Sequence, residues 1–190
     1  MPGMRGFVVA LLLAGGCVRD PVATVCPDLA VGALAVTEIR KAGTADTLGS
    51  WVELYNATGA SIDLQGVELR FRSPDGASET DVIVRRVLPV GAGGYVVLGL
   101  FADDATRPAY VDYGFLGDFH VTWPSAAALE VDACGVKIDT VQYAALPSAG
   151  TYSLGTMPPT ADANDFTSSW CTDITAAGAG TPQHANTACP

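Results

Sequence analysis

At 190 residues, with ten basic side chains against twenty acidic ones and a formal charge of -10, the chain is poorly suited to binding nucleic acid. Phosphate is neutralised by clustered cations, and the only adjacent arginines here are Arg85-Arg86, with Arg70 and Arg72 on a separate segment. A hydrophobic share of 49%, broken up by 21 Gly and 12 Pro, gives one domain a core made of many short elements.

The first residues read as an address. Arg5 gives a positive start, and Phe7 to Ala14 is an apolar run shorter than the ~20 residues a bilayer-spanning helix needs. It fits the h-region of a secretory signal. Leu13-Ala14-Gly15-Gly16-Cys17 resembles a bacterial lipobox, with small residues before a cysteine that is lipidated and becomes the new amino terminus. The plainer alternative is an ordinary signal peptide with an incidental cysteine. The lipobox reading divides the chain into a signal peptide at 1–16, a lipidated tether at 17–25 and a domain at 26–190. Loss of Arg5 leaves nine basic against twenty acidic side chains, a formal -11. Several palmitate-type chains anchor stably where one does not. Val18 follows the cysteine, with no retention aspartate, so the resemblance implies the outer membrane or the surface of a bacterial cell.

Past Cys17, the cysteines are Cys26, Cys134, Cys171 and Cys189, an even number in an exported chain, where paired disulfides are the default. Because domain termini tend to lie close together, Cys26–Cys189 and Cys134–Cys171 are the expected pairs. A metal site is the weaker reading, since no pair has C-x-x-C spacing.

In chain order, Leu34 to Ile39 is the opening strand and Lys41 to Ser50 a Gly/Thr/Asp loop. Trp51, Glu53 and Tyr55 alternate with Val52 and Leu54, predicting a strand that faces two environments. Asn56 to Gly59 is turn chemistry. Ile62 and Leu64 resume the alternation, Gly66 breaks it, and Val67 to Arg72 alternates again. Ser73-Pro74-Asp75-Gly76 is a turn. Asp81 to Leu88 reads as a strand with one wet face, and Tyr95 to Gly99 as a strand buried on both. Tyr110 to Phe115 suggests a short strand; Leu129 to Asp132, Val136 to Tyr143 and Thr151 to Leu154 are further strands. From Pro158 onward the composition predicts extended coil over the surface. With no helical period outside the signal, and turn signals every ten or so residues, the expected fold is an all-β antiparallel sandwich.

Several pieces, in order, resemble a lamin-tail domain. They are Val36-Thr37-Glu38-Ile39, Trp51 to Asn56, Thr58-Gly59 with Asp63-Leu64-Gln65-Gly66, Gly93 to Leu98, Ile138 to Tyr143, and Gly180-Thr181-Pro182 to Asn186. The resemblance covers roughly residues 33–186 and implies an immunoglobulin-like β-sandwich. Val67 stands where the family commonly has tryptophan, and Gln183-His184 where small residues are usual. In bacteria such domains occur in exported, surface-attached proteins, often beside enzymes. Alone, they resemble interaction or scaffolding modules.

The search for chemistry is less productive. Glu53 is placed to accept bonds from loop amides and Asn56 to close its own turn, structural roles for which ligand contact is the lesser alternative. His120 and His184 sit in no metal spacing, and no G-x-S-x-G or P-loop is present. Asp162-Ala163-Asn164-Asp165 has the acids of a calcium loop but not its central Gly or closing Glu. The expectation is therefore a non-catalytic, lipid-anchored envelope domain without a cofactor, serving adhesion or scaffolding toward an envelope protein or polysaccharide. Tyr110, Tyr113, Phe119 and Trp123 are its candidate contact patch, with core packing the expected role for at least half of them. The rival expectation, a calcium- or metal-assisted hydrolase, requires three or more carboxylates converging in one cleft.

Overall fold

The computed structural model describes residues 25–44, 46–175 and 180–190; the segment expected to be a signal peptide, Cys17 and residues 18–24 lie outside them. Three sheets form an all-β sandwich. The larger one joins β1 (Leu34–Arg40), β2 (Trp51–Asn56), β7 (Tyr95–Gly99), β8 (Tyr113–Gly114), β11 (Thr151–Leu154) and β12 (Trp170–Asp173) in the order β12-β11-β1-β2-β7-β8. The smaller one has the order β10-β9-β4-β5, from β4 (Val67–Arg72), β5 (Glu79–Ile83), β9 (Ala127–Ala133) and β10 (Val136–Tyr143). A minor pair joins β3 (Ile62–Asp63) to β6 (Pro89–Val90). Neighbouring strands are antiparallel except β7 and β8.

Alternation explains the core. Val52 and Leu54 of β2, Leu69 and Phe71 of β4, and Leu129 and Val131 of β9 point into one apolar cluster between the two large sheets. The other face of β2 is also covered, because Trp51 packs with Val97, Val111, Phe101 and Tyr110 in a second cluster. Both environments predicted for this strand are therefore interior. As its unbroken apolar run predicts, β7 is buried from Val96 to Gly99.

Four expectations need correction. The strand read over Asp81 to Leu88 ends at Ile83; Val84 instead exchanges bonds with Gly66 and Val67, and Leu88 turns to Leu64 and Asp63. The coil expected after Pro158 holds a helical turn, α1 (Ala161–Asn164), a 3₁₀ turn at Thr167–Ser169 and β12. Thr160 Oγ1 caps α1 by accepting from Ala163 N–H at 3.1 Å. Trp170 stacks on Tyr152 with ring centroids 4.7 Å apart, which holds β12 on the sheet. Third, the disulfides are Cys26–Cys134 and Cys171–Cys189, not the expected pairs. The chain ends lie apart: the first described residues sit by the β9–β10 turn, and the last ones finish beside β12.

The fourth correction is the contact patch, which is largely core. Tyr113, Phe119 and Trp123 are 3%, 3% and 5% exposed. Phe119 and Trp123 each lie 5.2 Å from the Phe71 ring. Tyr113 donates to the Ile83 carbonyl, and half-buried Tyr110 donates to that of Leu48. Large aromatic side chains in a loop were better spent filling the end of the sandwich than facing water.

Candidate functional site

β1 and β2 bring two acids face to face. Glu38 and Glu53 are direct cross-strand partners on the outer face of the six-stranded sheet, and neither is exposed. They are hidden by the chain from Gly180 to Asn186, which crosses this face as a strap. Thr181 donates to Glu38 through its N–H and its hydroxyl, the latter at 3.1 Å. Gln183 N–H donates to Glu53 Oε2 at 2.6 Å. From below, Ser153 Oγ reaches Glu38 Oε1 at 2.6 Å, and Thr37 Oγ1 reaches Glu53 Oε1 at 2.8 Å. Asn186 fastens the strap further along, donating to the carbonyls of Thr37 and Leu154. Gly180 is required where the strap begins. Its φ is +70°, and a Cβ there would lie 2.5 Å from Thr151 Oγ1 and 2.9 Å from Glu38 Oε1.

Among the described residues every hydrogen-bond donor to these two carboxyls is neutral, so no cation offsets their burial. Burial raises the pKa of Glu38, against bonds from Ser153 and Thr181 that lower it. Burial and then the charge of Glu38 hold Glu53 well above the ordinary range. Tyr95 beside them is pushed up to about 12 by burial and by Glu53. The pair therefore keeps its protons to higher pH than exposed carboxyls do, beneath the strap, with its oxygens already engaged. Asn56 does more than close its turn. It accepts from Thr58 N–H at 2.9 Å, and its amide nitrogen approaches the carbonyls of Ala60, Val90 and Gly91, tying its own turn to the end of β6.

A second buried acid, Asp139 on β10, accepts from Val36 N–H and from the Asn164 side chain, each at 2.7 Å. Burial pushes its pKa up to about 6. It lines a cavity of about 170 Å³ with Asp162 and Asp165. Among the described residues, however, no three His, Cys, Asp or Glu side chains converge so as to hold a metal ion. His120 and His184 are both exposed.

An open cleft of about 500 Å³ lies at the other end of the four-stranded sheet. Arg72, Ser73, Gln142, Tyr143 and Thr167 line it, over a floor of Ala127 and Ala128. Arg72 is held by Glu79 at 2.6 Å, and Gln142 is exposed. Small residues in the floor leave room, and the rim supplies amide, hydroxyl and guanidinium donors. Sequence reasoning missed this cleft because strands distant in sequence assemble it. Disulfides at both ends of the domain fit an oxidising, extracytoplasmic compartment. Neither models of known protein families nor curated proteins give a match to the chain.

Proposed function

We propose that this protein is a non-catalytic interaction module of the bacterial cell envelope, held by lipid on Cys17 at the outer membrane or cell surface and built on an immunoglobulin-like sandwich of lamin-tail type. The observation that carries the reading is a division of chemistry. The paired acids Glu38 and Glu53 are unexposed, with their oxygens bonded to the strap. The open cleft instead offers Arg72, Gln142 and Thr167, groups suited to recognition. The sandwich and the two disulfides support an extracytoplasmic setting. The partner is an envelope protein or polysaccharide.

The test is capture from the native envelope with the mature chain, freed of its lipid, as bait. One envelope component is expected to be retained and to be lost with Arg72→Ala plus Gln142→Ala. Capture that is indifferent to both substitutions would refute the cleft as the binding site. Calorimetric titration with calcium addresses the hydrolase alternative, because a tight site would favour it.

A further inference from the structure

The amino-terminal attachment is fixed at one end of the sandwich. Cys26 is bonded to Cys134, in the turn between β9 and β10. One residue earlier, the Val25 carbonyl lies over Gly66, where a Cβ would stand 2.0 Å from its oxygen. Gly66 immediately precedes β4, whose first residue, Val67, pairs with Ala133. Gly66 and the Cys134 turn therefore mark the same end. The cleft lies at the opposite one, where Arg72 pairs with Ala128 and Tyr143 with Ala127. Along the seven residues of β9, these ends are about 20 Å apart.

The attachment end also carries apolar surface. Val31 is 76% exposed and Val136 is 44% exposed. Val31 lines one cavity with Lys137, the neighbour of Val136. Exposed valines flanking a tether suit the boundary between lipid headgroups and acyl chains. Lys137 does not make the surface cationic, because Asp162 and Asp165 line the same cavity. Attraction to anionic headgroups is therefore not what holds this end down.

From these placements we infer that the Cys26–Cys134 end faces the bilayer, with Val31 and Val136 against its surface, and that the cleft at Arg72 and Gln142 points away from it. The inference rests on the lipid-anchor reading above. A stretched chain from residue 17 to residue 25 reaches at most about 27 Å, so the attached end stays near the membrane. The length of the sandwich then carries the cleft outward, toward whatever lies beyond the lipid.

The test uses the full lipidated chain, made in an exporting bacterial host and reconstituted into phosphatidylcholine–phosphatidylglycerol vesicles. A fluorescent non-natural amino acid replaces Val136 in one preparation and Ala77, in the turn beside the cleft, in another. Both positions are exposed, so the substitutions are tolerable. With a nitroxide on the lipid headgroups, quenching is expected to be several-fold stronger at 136 than at 77, with a ratio insensitive to salt. Equal quenching, or stronger quenching at 77, in protein that floats with the vesicles would overturn the orientation while the anchor stands. Protein that does not float with the vesicles would overturn the anchor and this inference with it.

Discussion

The two ends of the domain are fastened to the sandwich by different physics. At the amino-terminal end the fastening is the Cys26–Cys134 bond and the fit of Val25 against Gly66. Sulfur–sulfur bonds and backbone packing do not titrate. The carboxy-terminal strap has its own disulfide, Cys171–Cys189, but its middle rests on Glu38 and Glu53. Two acids in direct opposition, out of water, hold a strap best while they keep a proton. The first end is therefore a fixed joint, whereas the second is a fastening that answers to pH.

Removing the disulfides gives the largest effect. Cys26–Cys134 bridges a separation of 108 residues and Cys171–Cys189 one of 18. In the chain-entropy account, loops of these sizes contribute roughly 5 and 3 kcal/mol, a difference of about 1.6 kcal/mol. Urea unfolding of Cys26→Ser with Cys134→Ser should show the greater loss, and Cys171→Ser with Cys189→Ser the smaller. The opposite order would break the comparison, because the strap would then be the stronger joint.

Titration comes next. Glu38, Glu53 and Asp139 all have folded pKa values above their ordinary ones. The folded protein therefore holds these protons to higher pH than the unfolded chain does. Their contribution is complete below the unfolded values near 4 and is lost as pH rises through the folded ones. Asp139 alone, lifted from 3.8 to about 6, loses roughly 3 kcal/mol over the full rise from below its ordinary value to above its folded one. On the acid side, Asp46 and Asp103 have lowered pKa values, so stability also falls below pH 4. The optimum should lie in mildly acidic solution. Glu53→Gln should flatten the decline toward alkaline pH and raise the urea midpoint at pH 8. Its amide can imitate a protonated acid, with the oxygen accepting from Gln183 and the nitrogen donating to Thr37. The Thr37 hydroxyl then turns to the backbone carbonyl of residue 53, which lies 3.3 Å away. An unchanged profile would mean that the strap does not sense these protons.

The sequence made the sheets legible and left the strap obscure. Period-two runs such as Trp51 to Tyr55 and Val67 to Arg72 specify strand faces directly, and both are strands. Alternation does not say what covers the second face, so the burial of Trp51 and Glu53 required the fold. A signal was nevertheless present: Glu53 interrupts the apolar run from Trp51 to Tyr55, and an acid in such a place needs a partner. That partner, Gln183, lies 130 residues from Glu53. The cysteine pairing failed for a related reason, because nearness of chain ends was assumed. Of the four candidate contact aromatics, those at 113, 119 and 123 are core, because composition alone does not say which aromatic rings the sandwich covers.

The smallest effect isolates the strap most sharply. Thr181→Val keeps the size and branching of the side chain and the N–H bonds to Glu38. It removes the hydroxyl's contacts with Glu38 Oε1 at 3.1 Å and with Asn186 Oδ1 at 3.0 Å. A lost bond of this kind costs about 1 kcal/mol. The cost should be larger at pH 8 than at pH 5, since a donor contributes more beside an ionised carboxylate. Hydrogen exchange locates the change. The Gln183 amide should lose protection, while the Gly32 amide, bonded to Ile138 near the fixed joint, should keep its own. Equal loosening at both amides would show that the ends are one cooperative unit, and that the two fastenings differ in chemistry but not in how they open.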